Sequence, residues 1–245
     1  MERFLFMQSL RVRSYQGMHV VCMVLIFGMA IGIRLTAADN TSIRLQKAVT
    51  VLNELTGPSG HGVGPEEIAG ADCIAVIPGF KRGAAVVGVG FGRGFISCRN
   101  GDNWSAPGAI TFEGGSLGVQ IGGETIDVAI LSLDKQLRSK LLSDRFTMGS
   151  DASAAWGGGK SAHGDPNAKL LFFGHTKGAF AGFELDGTVL KSDESSNKAL
   201  YGKGITNSEI VESATTPAAA QPLVSRLTSL IHHEAAASSA SRSIQ

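Results

Sequence analysis

From Val86 to Gly122 the chain alternates bulky and bare positions with a period of two: Val87, Val89, Phe91 and Phe95 fall on one side, Gly88, Gly90, Gly92 and Gly94 on the other. Side chains of a strand point to opposite faces in turn, so this is a strand with one apolar face and one face almost without side chains. Leu117, Val119 and Ile121 against Gly114, Ser116, Gly118, Gln120 and Gly122 repeat the pattern. Glycine weakens a strand, and several in register on one face call for a close neighbour. Two readings satisfy that demand. Either the sheet is tightly coiled into a small barrel, or Gly88, Gly90, Gly92, Gly118 and Gly122 lie against a bound acyl chain or a membrane surface.

The rest of the chain divides around this β-rich stretch. Leu45, Ala48, Val49, Leu52 and Leu55 recur at helical spacing and predict an amphipathic helix over 41–55, stopped at Gly57-Pro58-Ser59-Gly60. Pro65-Glu66-Glu67-Ile68 reads as a short helical turn with proline at its first position. Ile74–Ile77 reads as a strand ended by Pro78-Gly79, and Ala84–Arg99 as a long strand reversing at Asn100-Gly101. Trp104–Phe112, Ser116–Ile121, Leu170–Gly174, Ala179–Leu185 and Thr188–Leu190 are further strands, with helical pieces at Asp134–Leu142, Ser195–Tyr201 and Asn207–Glu212. After Gly122-Gly123 the apolar parity shifts to Ile126, Val128 and Ile130, which demands a hairpin or a bulge. Past Ser213 the chain turns Ala, Ser and Thr rich and reads as a mobile tail, in which Leu223, Val224, Leu227, Leu230 and Ile231 can form an amphipathic turn or two.

The chain opens like an export signal or anchor. Arg3, Arg11 and Arg13 precede an uncharged, mostly apolar run from Met18 to Ile33, and Thr36-Ala37-Ala38 supplies small residues for cleavage before Asp39. Of the 245 residues, the organisation expected is 1–38 leader, 39–70 helical segment, 71–212 β-rich domain and 213–245 tail. Without residues 1–38 the formal net charge falls from +1 to about −2, against the basic balance usual for nucleic-acid binding. Cys73 and Cys98 then remain, which is no disulfide framework but allows one bridge in an oxidising compartment; spacing leaves the pairing open.

Three motifs suggest chemistry and fail on context. Gly114-Gly115-Ser116-Leu117-Gly118 matches the nucleophile elbow of serine hydrolases, with His163, Asp165 and His175 downstream, but an elbow needs a strand-to-helix turn and here the alternation runs on as strand. Gly157-Gly158-Gly159-Lys160-Ser161 looks like the end of a phosphate-binding loop, yet Ala154 stands where its first glycine belongs and His163-Gly164-Asp165-Pro166 cannot start the helix it needs. His61, His163, His175 and Asp165 lack metal-ligand spacing. No cofactor or metal is expected. Cations flanking the glycine-rich strands, Lys81, Arg82, Arg93, Arg99 and Lys177, stand out more, because fixed cations beside free backbone N–H groups suit phosphate.

Cys73-Ile74-Ala75-Val76-Ile77-Pro78-Gly79-Phe80-Lys81-Arg82-Gly83, Gly88-Val89-Gly90-Phe91-Gly92-Arg93-Gly94, Trp104-Ser105-Ala106-Pro107, Gly114 to Gly123 and Gly149-Ser150-Asp151-Ala152-Ser153 together resemble the SYLF domain. Lys177 to Gly187 and Ala199-Leu200-Tyr201-Gly202 extend the resemblance over roughly residues 45–205. It implies lipid binding without established catalysis, with phosphoinositide recognition and actin bundling in eukaryotic members and exported lipid-binding proteins in bacteria. Eukaryotic SYLF domains begin with a basic amphipathic segment that engages membranes. An export-type leader occupies that place here, and Arg44 and Lys47 on helix 41–55 are the nearest equivalents.

The expectation is therefore a mainly β, α+β domain, a strongly curled antiparallel sheet or closed barrel with short peripheral helices behind an N-terminal helix. Its expected function is non-catalytic binding of an anionic lipid or membrane surface by an exported, periplasmic or secreted protein. The apolar side of helix 41–55 would insert at the headgroup level while Arg44, Lys47, Lys81, Arg82, Arg93 and Lys177 meet phosphates. The alternatives are an actin-bundling interaction protein if the chain is cytosolic, and a hydrolase using Ser116.

Overall fold

The structure, a computed structural model, describes residues 40–57, 62–84, 87–117, 122–156, 167–176 and 187–242, which apart from Asn40 lie in one compact unit, Thr41–Gln245. Helix α1 (residues 40–56) is followed by α2 (Pro65–Gly70), β1 (Cys73–Ala84), β2 (Val87–Asn100), β3 (Asn103–Trp104), β4 (Gly108–Leu117) and β5 (Gly122–Ser132). A 3-10 turn at Lys135–Leu137 leads into α3 (Arg138–Leu141), then β6 (Arg145–Thr147), β7 (Ala154–Trp156), β8 (Leu170–Thr176) and β9 (Val189–Ser192). Helices α4 (Glu194–Tyr201), α5 (Asn207–Ser213) and α6 (Gln221–Arg242) complete the described chain.

The strands form one sheet in the order β6-β9-β4-β2-β1-β5-β8-β7, with β3 paired to β2, and among the described strand pairs only β7–β8 is parallel. The sheet is strongly curled, and the aromatic contacts show how strongly. Phe112 on β4 and Phe172 on β8 are four strands apart, which in a flat sheet would be roughly 19 Å. Their ring centroids are 6.1 Å apart, and Phe80 on β1 lies 5.2 Å from Phe112. Strands β6 and β7, at the two ends of this order, are joined by residues 148–153, which carry one further bridge between Met148 and Ala152. Among the described residues the sheet is thus a curled open one rather than a continuous barrel ladder.

Alternation along each strand sorts the core into two layers. Cys73, Ala75, Ile77, Phe80, Ile96, Cys98, Phe112, Val128, Phe172 and Leu190 fill the inside of the curl. Ile74, Val76, Phe95, Ala129, Leu131 and Phe173 face the other way, onto α1 through Leu45, Ala48, Leu52 and Leu55 and onto α6 through Leu223, Leu227 and Leu230. Cys73 and Cys98 are directly opposed on β1 and β2 and form a disulfide, with Cα atoms 3.9 Å apart.

Three local expectations are corrected. Pro78-Gly79 does not end the first strand: β1 runs on to Ala84 by absorbing one extra residue as a bulge, which shows as a register shift between Ile77 and Phe80 against β5. Gly79 takes φ +62°, open to glycine at little cost, and its N–H donates to Asp127 Oδ1 at 2.7 Å. Second, the parity change near residue 122 is no hairpin between neighbours, since β4 and β5 are separated in the sheet by β2 and β1. Third, the segment from 213 onward is not a tail up to residue 231. Its leucines recur every three or four residues and close the outer core layer, so helix α6 is held by packing that composition hides. The leader 1–38 and the strand expected at Ala179–Leu185 lie outside the described residues.

Candidate functional site

The bare face is filled from within. A methyl group on Gly90 would come within 2.9 Å of Phe80 Cε1, one on Gly92 within 2.6 Å of Ile77 Cγ2, and one on Gly94 within 2.9 Å of the Ile77 Cα. The glycines are bare because a neighbouring strand's phenylalanine and isoleucine lie across them, which is the coiled-sheet reading. In the described part an acyl chain finds no room against Gly90 or Gly92. Gly88 pairs with Ser116, and Gly122 with Ala84, at the same end of the sheet; Gly118 lies outside the described residues.

The opposite face carries the candidate site. Beyond Phe95 the helices no longer cover β2, and Phe91 (48 % exposed) and Val89 (65 % exposed) face solvent. The bulge at Pro78-Gly79 decides what stands beside them. It turns Phe80 inward and Lys81 outward, and Lys81, exposed, is the cross-strand partner of Phe91. On the other flank Phe91 opposes Glu113, whose carboxylate accepts from the ammonium of Lys191. Arg93, two residues along β2 on the same face, sets its guanidinium 5.9 Å from the Phe91 ring centroid. The result is an apolar pair with cations on two sides, able to leave water against an apolar layer while the cations stay at an anionic boundary.

The other cations expected to act together do not all join this surface. Arg44, on α1, donates to Ser196 Oγ at 3.1 Å and lies 3.9 Å from Asp193 Oδ2. Arg93 Nε is 3.6 Å from the same oxygen, so one carboxylate at the start of α4 ties α1 to β2. Burial draws the Arg44 guanidinium below its ordinary pKa, with Asp193 opposing. Burial raises Asp193, but hydrogen bonds from the hydroxyls of Ser195 and Ser196, the Ser196 amide and the charge of Arg93 outweigh it and leave the carboxyl below the usual range. Lys47 is exposed on α1, and Arg82 is half-buried on the register that faces inward, opposite Gly90 and Glu124. Lys177 lies outside the described residues.

The helix mechanism needs correcting. Leu45, Ala48, Val51, Leu52 and Leu55 are all at most 3 % exposed, so the apolar side of α1 is spent on the core, and Ile43, 50 % exposed, is the large apolar side chain the helix leaves outside it. The alternation in the sequence identified the apolar side of β2, but not that the helices stop short of its tip. Ser116 sits within β4 opposite Gly88, paired as a strand residue and not raised on the sharp turn that an elbow needs for its serine. Among the described residues no cluster of His, Cys, Asp and Glu is placed to hold a metal, and no helix is long and apolar enough to cross a membrane.

Residues 113–230 match the family described as Ysc84, Las17-binding protein actin regulator. An SH3 domain-containing protein of Schizosaccharomyces pombe is 33% identical over 68% of this chain and 41% of its own length. An SH3 domain-containing YSC84-like protein 1 of Xenopus laevis is 31% identical over 67% of this chain and 52% of its own length, and Protein YSC84 of Saccharomyces cerevisiae 32% identical over 66% and 39%. The chain thus spans about half the length of the curated relatives it matches. No solved structure matches it significantly. With the matched stretch running from β4 into α6, across the curled sheet and the helix that closes its outer layer, the chain belongs to the Ysc84 (SYLF) family.

Proposed function

We propose that this protein is an exported, non-catalytic binder of anionic lipid surfaces, attaching through the outer face of β2. The observation that carries the reading is the exposure of Phe91 and Val89 between Lys81 and Arg93, on a sheet whose other described large apolar side chains are buried or half-buried. Partial burial of these two side chains in a headgroup layer contributes on the order of 1 kcal/mol each, and a cation near an anionic surface about as much. Attachment then has to be local, because the chain past residue 38 carries a formal charge of about −2. The Cys73–Cys98 disulfide supports an oxidising compartment. A second reading rests on the family description as an actin regulator, in which the same surface meets a protein.

The test is co-sedimentation with phosphatidylserine-containing and neutral phosphatidylcholine vesicles across a salt series, for the parent, Phe91→Asp and Lys81→Glu. The proposal expects preference for anionic vesicles, weakening with salt, and at least tenfold weaker binding in both variants with unchanged melting. Binding indifferent to lipid charge and to both variants would refute it. Filament co-sedimentation lost in Phe91→Asp, with no vesicle binding by the parent, would favour the second reading.

A further inference from the structure

At the other end of the same strands lies a cleft of about 720 Å³ that the outer face of β2 does not explain. Eight residues of β2 separate Phe91 from Arg99, roughly 26 Å along the strand, so the two places are distinct. The cleft is formed where the C-terminal end of α2, the hairpin turn after β2 and the start of α3 meet. Its charged lining is Asp72, Arg99, Lys135 and Arg138, with Gly101 of the turn and the half-exposed Leu133 at its rim.

The side chains are built into place. Asp72, 2 % exposed, accepts two hydrogen bonds from Arg138, Nε at 2.9 Å and Nη2 at 2.6 Å, and Arg138 Nη2 also donates to the Arg99 carbonyl at 3.0 Å. Arg99 lies across the end of α2, donating to the carbonyls of Ile68, Ala69 and Ala71 at 2.8–3.1 Å, and stacks on the Trp104 ring at 4.7 Å. A cation there covers the negative end of a helix that would repel an anion. The bonds that orient Arg138 use its Nε and Nη2, leaving the Nη1 edge out of them, and Lys135 presents an exposed ammonium one 3-10 turn earlier. The acids nearby are accounted for. Asp134 is paired with Lys169 at 2.8 Å, and Asp102 stands exposed in the hairpin turn outside the lining.

Three cations against one buried carboxylate give the lining a formal charge of +2, the complement of a phosphate monoester, which carries −1.5 to −2 near neutrality. The volume falls in the range of small-molecule sites. We infer that this cleft binds a phosphate monoester, with Lys135 and the free edge of Arg138 on the phosphate oxygens and Leu133 against the organic part. The inference is independent of the lipid-surface reading of β2.

The test titrates the full chain with phenyl phosphate and follows the backbone amide NMR shifts of Gly101, Leu133 and Lys135. Saturable shifts are expected, weakened about tenfold in Lys135→Glu and less in Lys135→Gln, both of which should melt like the parent because the side chain is exposed. Phe91→Asp should leave the titration unchanged. Shifts that stay linear in added phenyl phosphate, or saturable shifts unaltered in Lys135→Glu, would overturn the assignment. Vesicles containing phosphatidic acid then identify the source. If excess phenyl phosphate displaces the parent but not Lys135→Glu from them, the ester is a lipid headgroup; if it displaces neither while saturating the cleft, it is a soluble metabolite, and the site stands in both cases.

Discussion

Replacing Gly90 by alanine adds one methyl group to the inward face of β2, where Phe80 already lies. The new carbon would stand 2.9 Å from Phe80 Cε1 and 3.1 Å from Cε2, inside the ~3.5–4 Å of ordinary carbon contact, so the ring must retreat by on the order of 1 Å. It has little space to do so, being 1 % exposed and packed at 5.2 Å against Phe112, which in turn meets Phe172. Overpacking of this kind costs about 1–3 kcal/mol, which in a domain of this size lowers the melting temperature by roughly 4–8 °C for a mid-range value. A double variant sharpens the test. Adding Phe80→Leu removes the obstacle, so the pair should be less destabilised than the sum of the single changes by about 1 kcal/mol or more. Gly94→Ala meets main-chain atoms of Val76 and Ile77 instead, and Phe80→Leu should not rescue it. Thermal melts followed by circular dichroism read the parent and the five variants. A Gly90→Ala variant that melts with the parent, or a Phe80→Leu change that rescues Gly94→Ala as well as Gly90→Ala, would refute the account of the bare face.

Reducing the Cys73–Cys98 bridge releases a loop with a sequence separation of 25 residues and should cost about 3.5 kcal/mol by loop entropy, read as a melting temperature lowered by roughly 7–14 °C once thiol titration shows both cysteines free; an unchanged melt in that sample would contradict the loop-entropy account. Asp193 has its carboxyl held below the ordinary value of 3.8, so its stabilisation is present above that pH and is lost as pH falls through the lower folded value. Asp193→Asn should therefore melt below the parent at pH 6, with the gap closing as pH is taken from about 5 towards 2; a gap that widens in acid would contradict the assignment. Ser116→Ala should leave vesicle binding unchanged, and a fluorophosphonate probe should not label Ser116 in the parent; labelling abolished by the substitution would reinstate the hydrolase.

Much of the fold was legible because its signals are local. The glycine alternation of β2 announced a sheet curled hard enough for Phe80 to lie on bare backbone, and the spacing of Leu45, Ala48, Leu52 and Leu55 announced α1. What escaped depends on partners far away in the chain. Pro78-Gly79 reads as a strand end, and only the side chain of Asp127 from β5 keeps it inside one. Arg44 looks like a free surface cation until Asp193 is brought beside it. Periodicity tells which residues of β2 share an apolar face, but not where α1 and α6 stop covering it and leave Phe91 and Val89 exposed. The leucines of α6 are diluted by alanine and serine, and their packing is visible only once Ile74, Phe95 and Phe173 supply the other side.

The extra residue at Pro78-Gly79 works like a shift of reading frame for the sides of a sheet. Upstream of it, Cys73, Ala75 and Ile77 are read as inside; downstream, the same phase would have sent Lys81 into the aromatic stack and Phe80 out into water. Straightening the bulge with every residue kept would exchange the two surfaces of the strand tip, whereas deleting Gly79 would remove the extra residue and leave Phe80 inside and Lys81 outside. A substitution that flattens the bulge, with no change in chain length, can therefore turn a charged outer edge into a greasy one in this architecture, and the pairing of one glycine N–H with one aspartate helps to hold the frame.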